Sequence, residues 1–363
     1  MRIRLMTFHT PKNYGAVLQG FSLMTYLKKF SDDVKVVDYN TSQLRAKYSL
    51  KKKVKNARQL MKVILVAPWS NQRKKKHEKF EKFVEENYCL TRRYESLGEL
   101  TEDLPEMDIA VTGSDQVFNP SRIPEERKAF YLDFVGDDVK RISYAASFGS
   151  SSIPDEKKDE VKTYLEKFDR ISVREDSGSL IVNKLTSKKS DVVLDPVFLN
   201  DKEFWISVSQ KYNKKFDKYL LYYRLLGSKK SDLYAKKIAK EKGLKLVTIN
   251  DSYLRMPLGK VLWDVGPDDF LGLYANADFV VTDSFHGVAF SLIFEKQFLF
   301  TDTHPVTKER GFNLIEAVGI EDIAYCENYS GGKSIDYSKA REKLNEKIAS
   351  SKSFLEKAIK EDW

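Results

Sequence analysis

The stretch DFVVTDSFHG, residues 278–287, carries the pattern that decides the fold. An apolar run ends at a polar pair, and a histidine and a glycine follow where a helix would begin. Short runs of β-branched and aromatic residues are typical of strands, whereas Asp and Ser are typical of helix N-caps. The stretch therefore predicts a strand over residues 278–282 that leads directly into a helix.

The same order of strand and helix recurs along the chain. Strands are predicted at residues 2–8, 34–39, 108–112, 141–145, 170–173, 191–194, 219–225, 245–249, 278–282 and 297–300. Helices are predicted at residues 15–30, 155–168, 231–242, 267–275 and, without a following strand, 337–360. Strands that alternate with helices favour parallel sheets with helices on both faces.

The alternation breaks near residues 196–218, and this break predicts two domains. A chain of 363 residues is also longer than one ordinary core accommodates. We expect an α/β fold of two Rossmann-like, doubly wound domains that face each other across a cleft, followed by a C-terminal helix. The predicted bounds are residues 1–196 for the first domain, 197–336 for the second and 337–363 for the helix.

Composition excludes several classes of protein. Hydrophobic residues make up 42% and charged residues 32%, a balance that argues against a disordered or fibrous chain. No apolar run reaches the ~18 residues that span a bilayer, and the first residues lack a signal-peptide core. Because the cysteines are only Cys89 and Cys326, neither a disulfide scaffold nor a thiolate zinc site is expected, and a cytoplasmic location is predicted.

Several familiar catalytic motifs are missing from the sequence. It contains no G-x-G-x-x-G, Walker A, H-E-x-x-H, C-x-x-C or G-x-S-x-G pattern. The sequence therefore gives no support for assigning this chain to the dinucleotide-binding dehydrogenases, P-loop NTPases, zinc metalloproteases or serine hydrolases.

Polar residues follow the first predicted strand, at the edge where open α/β sheets bind ligands. Asn13 suits a helix N-cap, and with Tyr14 and Gly15 it begins a helix whose free amides can bind an anion. The alternative is a capped turn that binds nothing.

A second polar cluster follows the strand predicted at residues 108–112. Gly113 permits a tight turn there. Ser114, Asp115 and Asn119 add hydrogen-bonding side chains, which suit sugar hydroxyls. The alternative is a turn with a helix cap, which has the same composition.

Arg174 follows the strand predicted at residues 170–173. At the carboxyl end of a strand, an arginine offers a planar fork to a carboxylate or a phosphate. The alternative is a salt bridge to Glu175 or Asp176 at the start of the next helix.

His286 gives the clearest indication of chemistry. Burial and the positive end of a helix both favour a neutral imidazole, which exchanges a proton near pH 7. A purely structural histidine is the alternative. Downstream, Lys308 and Arg310 are predicted to precede a helix that begins near Phe312, where they either add positive charge or lie in solvent.

Five motifs occur in order along the chain. They are NYGAVLQ (13–19), TGSDQVFN (112–119), SVRE (172–175), LDP (194–196) and TDSFHG (282–287). Together they resemble the polysaccharide pyruvyl transferase family, notably its branch in bacterial capsule and exopolysaccharide gene clusters. The resemblance extends over roughly residues 1–320.

The resemblance implies a fold like that of the GT-B glycosyltransferases and a specific reaction. Members transfer pyruvate from phosphoenolpyruvate to two hydroxyls of one sugar as a cyclic ketal, and phosphate is released. The resemblance implies that His286 is the general acid or base and that Arg174 binds the donor. Phosphoenolpyruvate is then a substrate, and no metal or other cofactor is expected.

The sequence departs from the family pattern at Ser284, where several members carry an arginine two residues before the histidine. The donor carries a carboxylate and a phosphate, so other cationic residues must balance its negative charge. The candidates are Arg174, Arg310, Lys308 and Arg224, and Ser284 is also retained as a predicted substrate contact.

The first domain is predicted to bind the acceptor sugar and the second the donor. An Asp with an ordinary pKa of ~3.9 is a weak base at pH 7, so Asp115 is assigned to acceptor binding or to stability. The other predicted acceptor contacts are Asn13, Tyr14, Gly15, Ser114 and Asn119.

Two other functions compete with pyruvyl transfer. A GT-B glycosyltransferase that uses a nucleotide sugar would share the architecture and a phosphate-rich donor. A non-catalytic, carbohydrate-binding homologue in a polysaccharide assembly complex would explain the serine at position 284. The presence of His286 and Arg174 argues against the second of these.

The net charge of +9 is concentrated in one basic segment, residues 45–79. This segment holds 13 Lys or Arg and one acid, Glu78, and so carries +12, while the rest of the chain carries −3. Cations around the apolar stretch that ends at Trp69 suit an anionic membrane surface better than a nucleic-acid groove. With the resemblance, they suggest a lipid-linked saccharide acceptor at the inner face of the cell membrane. The alternative is a solvated flap that recruits an anionic acceptor, and no nucleic-acid partner is expected.

Overall fold

The structure is a computed structural model, in which contacts between Cα atoms group the chain into two compact units. Unit 1 comprises Met1–Tyr48, Val84–Asn200 and Glu346–Trp363, and unit 2 comprises Ser49–Phe83 and Asp201–Asn345. The structure describes residues 1–10, 12–48, 56–210, 212, 216–250, 252–301, 305–327 and 333–361. For residues 46–48, 57–60, 62 and 305–309 it describes the backbone alone.

Twelve strands lie within the described residues, and every pairing between them is parallel. They are β1 Arg2–Met6, β2 Asp33–Tyr39, β3 Leu90–Tyr94, β4 Ile109–Asp115, β5 Lys140–Ala146, β6 Arg170–Val173, β7 Ser190–Val192, β8 Tyr219–Arg224, β9 Lys245–Asn250, β10 Lys260–Leu262, β11 Phe279–Thr282 and β12 Gln297–Phe300. The sheet of unit 1 has the order β3-β2-β1-β4-β5-β6-β7, and the sheet of unit 2 has the order β10-β9-β8-β11-β12. The strand order reverses between β1 and β4 and between β8 and β11, which is where open α/β sheets bind ligands.

Fifteen α-helices lie within the same described residues. They are α1 Tyr14–Leu27, α2 Ser42–Tyr48, α3 Ala57–Val66, α4 Ser70–Asn87, α5 Leu97–Glu102, α6 Pro124–Phe130, α7 Lys158–Glu166, α8 Asp176–Leu185, α9 Lys202–Ser209, α10 Lys229–Glu241, α11 Pro267–Asn276, α12 Phe285–Ile293, α13 Pro305–Ala317, α14 Glu321–Ala324 and α15 Tyr337–Lys360. Short 3₁₀ turns occupy Ala67–Trp69, Gln116–Phe118, Asp155–Lys157 and Pro196–Phe198. None of the helices in the described part of the chain is long and apolar enough to cross a lipid bilayer.

The central strands are buried along their whole length. Every residue of β5 and of β8 is buried. Parallel strands covered by helices on both sides lose the alternation of apolar and polar residues, because both of their faces lie in a core. This explains why runs such as YLLYYR in β8 are almost continuously apolar or aromatic.

The predicted fold class is confirmed in its secondary structure, since both sheets are parallel and alternate with helices. Strands β6 and β12 and helix α15 have the predicted bounds. Two strands, β3 and β10, were not predicted. The predicted position of Lys308 and Arg310 before a helix is wrong, because α13 begins at Pro305 and includes both residues. Proline suits the first turn of a helix, where its missing N–H is not needed.

Most of the basic segment groups with unit 2 rather than with the domain in which the sequence predicted it. Its residues 49–55 lie outside the described residues, and the rest forms α3, a 3₁₀ turn and α4. The Trp69 ring packs on Trp263 with the ring centroids 5.4 Å apart. Lys79 Nζ donates a hydrogen bond to Asp269 Oδ2 at 2.6 Å. These contacts fix the segment on unit 2.

Candidate active site

The first edge is the carboxyl end of the unit 1 sheet, where residues 113–115 still belong to β4 and do not form the predicted turn. Gly113 has a φ of +132°, and a Cβ at this position would stand 2.0 Å from the Tyr144 carbonyl oxygen. This position therefore requires glycine. Asp115 also has a positive φ, +66°, a strained conformation that residues other than glycine adopt mainly at functional sites.

Ser114 is buried, and its hydrogen bonds hold this end of β4 in place. Its backbone N–H donates to Gln19 Oε1 at 2.9 Å. Its hydroxyl donates to the Ala145 carbonyl oxygen at 2.9 Å and lies 3.4 Å from Asp195 Oδ2. The serine thus supports the edge from within the protein.

Three carboxylates surround Arg174 at the same edge. Nη1 lies 2.9 Å from Asp195 Oδ2, and Nε lies 3.1 Å from Glu175 Oε1. Nη2 lies 3.5 Å from Asp115 Oδ1. Burial alone would lower the pKa of the guanidinium, but the three carboxylates raise that pKa above its ordinary value. Of the two predictions for Arg174, the salt bridge to Glu175 is confirmed, and donor binding stays a prediction for a guanidinium that pairs with three carboxylates.

The other residues predicted at the first edge have local structural roles. Asn13 is the N-cap of α1, as predicted, and its Oδ1 accepts a hydrogen bond from the Ala16 N–H at 3.2 Å. Tyr14 and Gly15 are buried in the first turn of α1. Asn119 accepts a hydrogen bond at 2.9 Å from the backbone N–H two residues further on. The structure therefore brings Ser114, Asp115 and Arg174 into one network. Asn13, Tyr14, Gly15 and Asn119 shape the chain around this network.

A buried His–Asp pair also lies in unit 1, and the sequence did not predict it. His9 Nε2 is 2.9 Å from Asp38 Oδ1, and His9 Nδ1 is 3.3 Å from the Thr7 carbonyl oxygen. Arg93 Nε donates to Asp38 Oδ2 at 3.1 Å. Burial would raise the pKa of Asp38, but the hydrogen bonds and charges of His9 and Arg93 lower it below its ordinary value. The available signal was that His9 follows β1 and Asp38 lies near the end of the neighbouring strand β2.

The second edge is the carboxyl end of the unit 2 sheet, where Asp283 fixes the loop that follows β8. Asp283 Oδ1 accepts a hydrogen bond from the Leu225 N–H at 2.7 Å. Asp283 Oδ2 accepts hydrogen bonds from the Leu226 N–H at 2.8 Å and the Gly227 N–H at 2.5 Å. The carboxylate of this buried residue is thus bound by backbone amides.

His286 lies in the first turn of α12, directly after β11, and its side chain is 9% exposed. Ser284 is the N-cap of this helix, but its side chain makes no capping hydrogen bond. A Cβ on Gly287 would stand 2.1 Å from Thr282 Oγ1, so glycine lets α12 approach β11 closely. The edge therefore combines an imidazole and a hydroxyl with the amino end of a helix, where amides and the helix dipole favour an anion.

Three residues of unit 2 are predicted to balance the donor's negative charge, and their surroundings differ. Arg224 is buried, donating from Nη2 to Asp232 Oδ2 at 2.7 Å and from Nη1 to the Met256 carbonyl oxygen at 3.1 Å. Lys308 and Arg310 belong to α13, which packs against α12. Arg310 is half-buried, and the Lys308 side chain lies outside the described part. Arg224 is therefore already paired within the unit, whereas Lys308 and Arg310 belong to a helix that packs against the helix of His286.

Asn250, at the end of β9, is a second residue that the sequence did not predict. It pairs in register with Arg224 of β8 and is 3% exposed. Neither its Oδ1 nor its Nδ2 has a hydrogen-bond partner within the described residues. Buried polar groups are nearly always satisfied, so this amide indicates a place for a bound water or a ligand.

A glucosyltransferase and two epimerases are among the solved structures that are similar to this chain. An α-glucosyltransferase in complex with UDP and a 13-mer DNA is 12% identical, with 98% of each chain covered and a TM-score of 0.52. The UDP-GlcNAc 2-epimerase of Methanocaldococcus jannaschii is 13% identical, with 96% of this chain and 92% of that chain covered and a TM-score of 0.48. The UDP-GlcNAc 2-epimerase of Neisseria meningitidis is 11% identical, with 99% and 94% covered and a TM-score of 0.47. At these identities the glucosyltransferase supports the fold alone, and the predicted GT-B-like class is confirmed.

The sequence comparisons bear on the family. No curated protein matches this chain at a significant level. The family model described as polysaccharide pyruvyl transferase matches residues 13–305. Because that match runs from the N-cap of α1 to the first residue of α13, and so through both sheet edges, this chain belongs to the polysaccharide pyruvyl transferase family.

Proposed function

We propose that this protein transfers pyruvate from phosphoenolpyruvate to two hydroxyls of one sugar in a polysaccharide precursor, as a cyclic ketal. The observation that carries this proposal is the position of His286, in the first turn of the helix that follows β11, at the point where the strand order of the unit 2 sheet reverses. Membership in the family supplies the reaction class.

The reaction defines what the residues must do. The methylene carbon of the donor takes up a proton and becomes a methyl group, so that its central carbon becomes electrophilic. Two sugar hydroxyls add to this carbon, each losing a proton, and the bond from carbon to the phosphate oxygen breaks. One of the released protons balances the new methyl group and the other leaves with phosphate, so no oxidant or reductant is needed.

His286 is the residue we assign to proton transfer. A histidine positioned as general acid or base typically contributes about 10²- to 10⁴-fold to the rate. It either protonates the methylene carbon or removes a proton from a hydroxyl. Its burial at the amino end of α12 limits access of water to the reacting groups.

The donor's anionic groups are assigned to the second edge. The amides at the start of α12 and the Ser284 hydroxyl suit a phosphate or a carboxylate. Lys308 and Arg310 supply the positive charge, because α13 packs beside α12. Arg174 and Arg224 are not assigned to the donor, since each is already paired with a protein carboxylate.

The acceptor sugar is assigned to the first edge. The side chain of Asp115 is 24% exposed and is the most accessible carboxylate of the Arg174 network, so it orients a sugar hydroxyl. Asn119 and the α1 turn at residues 13–15 border the acceptor, and Ser114 holds the end of β4 beneath it. The basic segment favours a lipid-linked acceptor at the cytoplasmic face of the membrane.

The test is to incubate the protein with phosphoenolpyruvate and a panel of saccharide acceptors, following phosphate release and product mass. We expect phosphate release that depends on the acceptor, together with a mass increase of one pyruvyl ketal. His286→Ala is expected to lower the rate about 10²- to 10⁴-fold, whereas His77→Ala, in α4, leaves it unchanged.

Other outcomes would contradict the proposal. Transfer of a whole sugar from a nucleotide sugar would identify a glycosyltransferase instead. Saccharide binding with no release of phosphate from phosphoenolpyruvate, whichever acceptor is present, would identify a non-catalytic homologue. Near-normal turnover by His286→Ala would remove the assignment of this histidine.

A further inference from the structure

We propose that unit 2 carries a surface that docks on an anionic phospholipid bilayer. This docking surface consists of Met61, Ile64, Leu65, Lys74, Lys75, Leu254 and Met256. It is argued from the exposure, spacing and charge of these side chains.

The apolar part of the docking surface begins with a stripe on α3. Met61, Ile64 and Leu65 follow the i, i+3, i+4 spacing that places side chains on one face of a helix. Their exposed fractions are 59%, 60% and 54%. A stripe of this kind normally faces a protein core. Three large apolar side chains that stay more than half exposed therefore mark a face that another apolar phase covers.

The loop after β9 adds two more exposed apolar side chains to the docking surface. Leu254 is 48% exposed and Met256 is 82% exposed. Tyr253, which precedes them, stacks on Trp263 with the ring centroids 5.1 Å apart, and Trp263 in turn contacts Trp69. These aromatic contacts tie the loop to the turn between α3 and α4.

The next helix, α4, carries exposed cations. Lys74 has 69% of its side chain exposed and pairs only loosely with Glu78, at 3.6 Å, and Lys75 is exposed as well. Arg73 lies over the Tyr253 ring, with Cζ 5.7 Å from the centroid. Lys76 does not contribute, because it is buried with its Nζ 5.9 Å from the Phe80 ring centroid.

A bilayer fits this arrangement better than a protein partner does. Unbranched and branched apolar side chains next to exposed lysines complement acyl chains beneath anionic headgroups. Each Lys or Arg near such a surface adds to the attraction, and the contributions fall off within a Debye length.

The docking surface is also connected to the second edge. Arg224 donates to the Met256 carbonyl oxygen, and Arg255 Nη1 donates to the Leu225 carbonyl oxygen at 2.7 Å. The Leu225 amide is bound by Asp283, three residues before His286. A docked bilayer would therefore lie near the edge that carries His286, the residue to which proton transfer is assigned. This last step rests on the proposed function, whereas bilayer binding does not.

The test is vesicle flotation of the full chain without substrates, so that its failure is separate from any failure of the proposed reaction. The vesicles are phosphatidylcholine alone or phosphatidylcholine mixed with phosphatidylglycerol. We expect binding to the anionic vesicles at low salt and progressive loss of binding as salt is added.

Two variants test the apolar part and the cationic part of the docking surface separately. Met61→Ser/Ile64→Ser/Leu65→Ser is expected to lower the partition coefficient by about 100-fold or more, because apolar burial is lost. Lys74→Gln/Lys75→Gln is expected to lower it by about tenfold. Since all five side chains are exposed, we expect both variants to fold, and circular dichroism checks this.

Matched controls come from α10 of the same unit. Lys236→Gln/Lys237→Gln removes the same charge, and Lys237 pairs with Glu241 at 3.8 Å just as Lys74 pairs with Glu78. Leu233→Ser removes an apolar side chain that is 67% exposed. Both controls are expected to bind vesicles like the wild type.

Three results would overturn the proposal. The first is absence of binding to anionic vesicles at low salt, and the second is equal binding to neutral vesicles. The third is a dimer in sedimentation experiments that the triple serine variant dissociates, since the apolar stripe would then serve self-association.

Discussion

The charged residues at the two sheet edges have different kinds of partner. At the first edge, the guanidinium of Arg174 is surrounded by three carboxylate side chains. At the second edge, the carboxylate of Asp283 is bound by three backbone amides, and His286 follows in the next helix. Polar residues at the end of a strand therefore do not by themselves make a ligand site. What matters is whether the fold has already supplied their partners.

This difference indicates which edge stabilises the fold and which edge has side chains available for catalysis. A network of charged side chains depends on each of its members, because removing one leaves the others buried without compensation. A carboxylate bound by backbone amides needs no charged side chain, so the residues after it remain available for a substrate. We therefore assign rigidity to the first edge and proton transfer to the second.

The largest expected effect on stability comes from Arg174→Met. The substitution leaves Asp195, Glu175 and Asp115 without their shared cation, so we expect a loss of about 3–5 kcal/mol in the free energy of unfolding. Urea unfolding at neutral pH measures it.

Arg224→Met is the matched variant at the second edge. Arg224 pairs with one carboxylate, Asp232, whose side chain is 25% exposed and can be solvated when the arginine is lost. We expect a smaller loss, about 1–3 kcal/mol. Equal losses for the two variants would remove the contrast between the edges.

The two edge glycines give the next largest effect. A Cβ on Gly113 would meet the Tyr144 backbone oxygen at 2.0 Å, whereas a Cβ on Gly287 would meet the Thr282 side-chain oxygen at 2.1 Å. A backbone atom of a central strand can yield less than a side chain. We expect Gly113→Ala to cost about 3 kcal/mol or more and Gly287→Ala about 1–3 kcal/mol in unfolding free energy.

Gly98→Ala in α5 is the control for both. The nearest atom to its added Cβ is Ser96 Oγ at 3.7 Å, an ordinary contact. Because alanine suits a helix better than glycine does, this variant should be neutral or stabilising by up to about 1 kcal/mol. A larger loss for Gly287→Ala than for Gly113→Ala would reverse our ranking of the two edges.

Periodicity predicted the elements that have a regular pattern of buried residues, because burial dictates their composition. Strands β6 and β12 and helix α15 follow the predicted bounds. The missed strands are both at sheet edges. β3 reads LTRRY, with polar residues along an exposed side, and β10 has three residues, so neither has a buried pattern to detect. The start of α13 was missed although Pro305 was an available signal.

The candidate site was predicted in its location and less well in its contacts. The strand-end rule brought Ser114, Asp115 and Arg174 to one edge, as the structure has them. The partner Asp195 lies 21 residues from Arg174, and no local pattern connects them. Asn250 was missed for another reason: its signal is the absence of partners, which a sequence does not contain.

The smallest expected effect belongs to the His9–Asp38 pair of unit 1. The pKa of Asp38 is lower in the folded protein than in the unfolded chain, where an aspartate has a pKa of ~3.9. The unfolded state then binds a proton more readily, so the pair stabilises the fold above pH ~4, and this contribution is lost as pH falls from there towards the folded pKa.

Urea unfolding of the wild type and Asp38→Asn from neutral pH to pH ~3 measures this contribution. The amide keeps the shape of the side chain but cannot ionise, so the other carboxylates of the protein cancel in the difference between the two proteins. That difference should be constant near neutral pH and should narrow below pH ~4. A difference that stays constant over the whole range would mean that His9 and Arg93 do not favour the ionised form of Asp38.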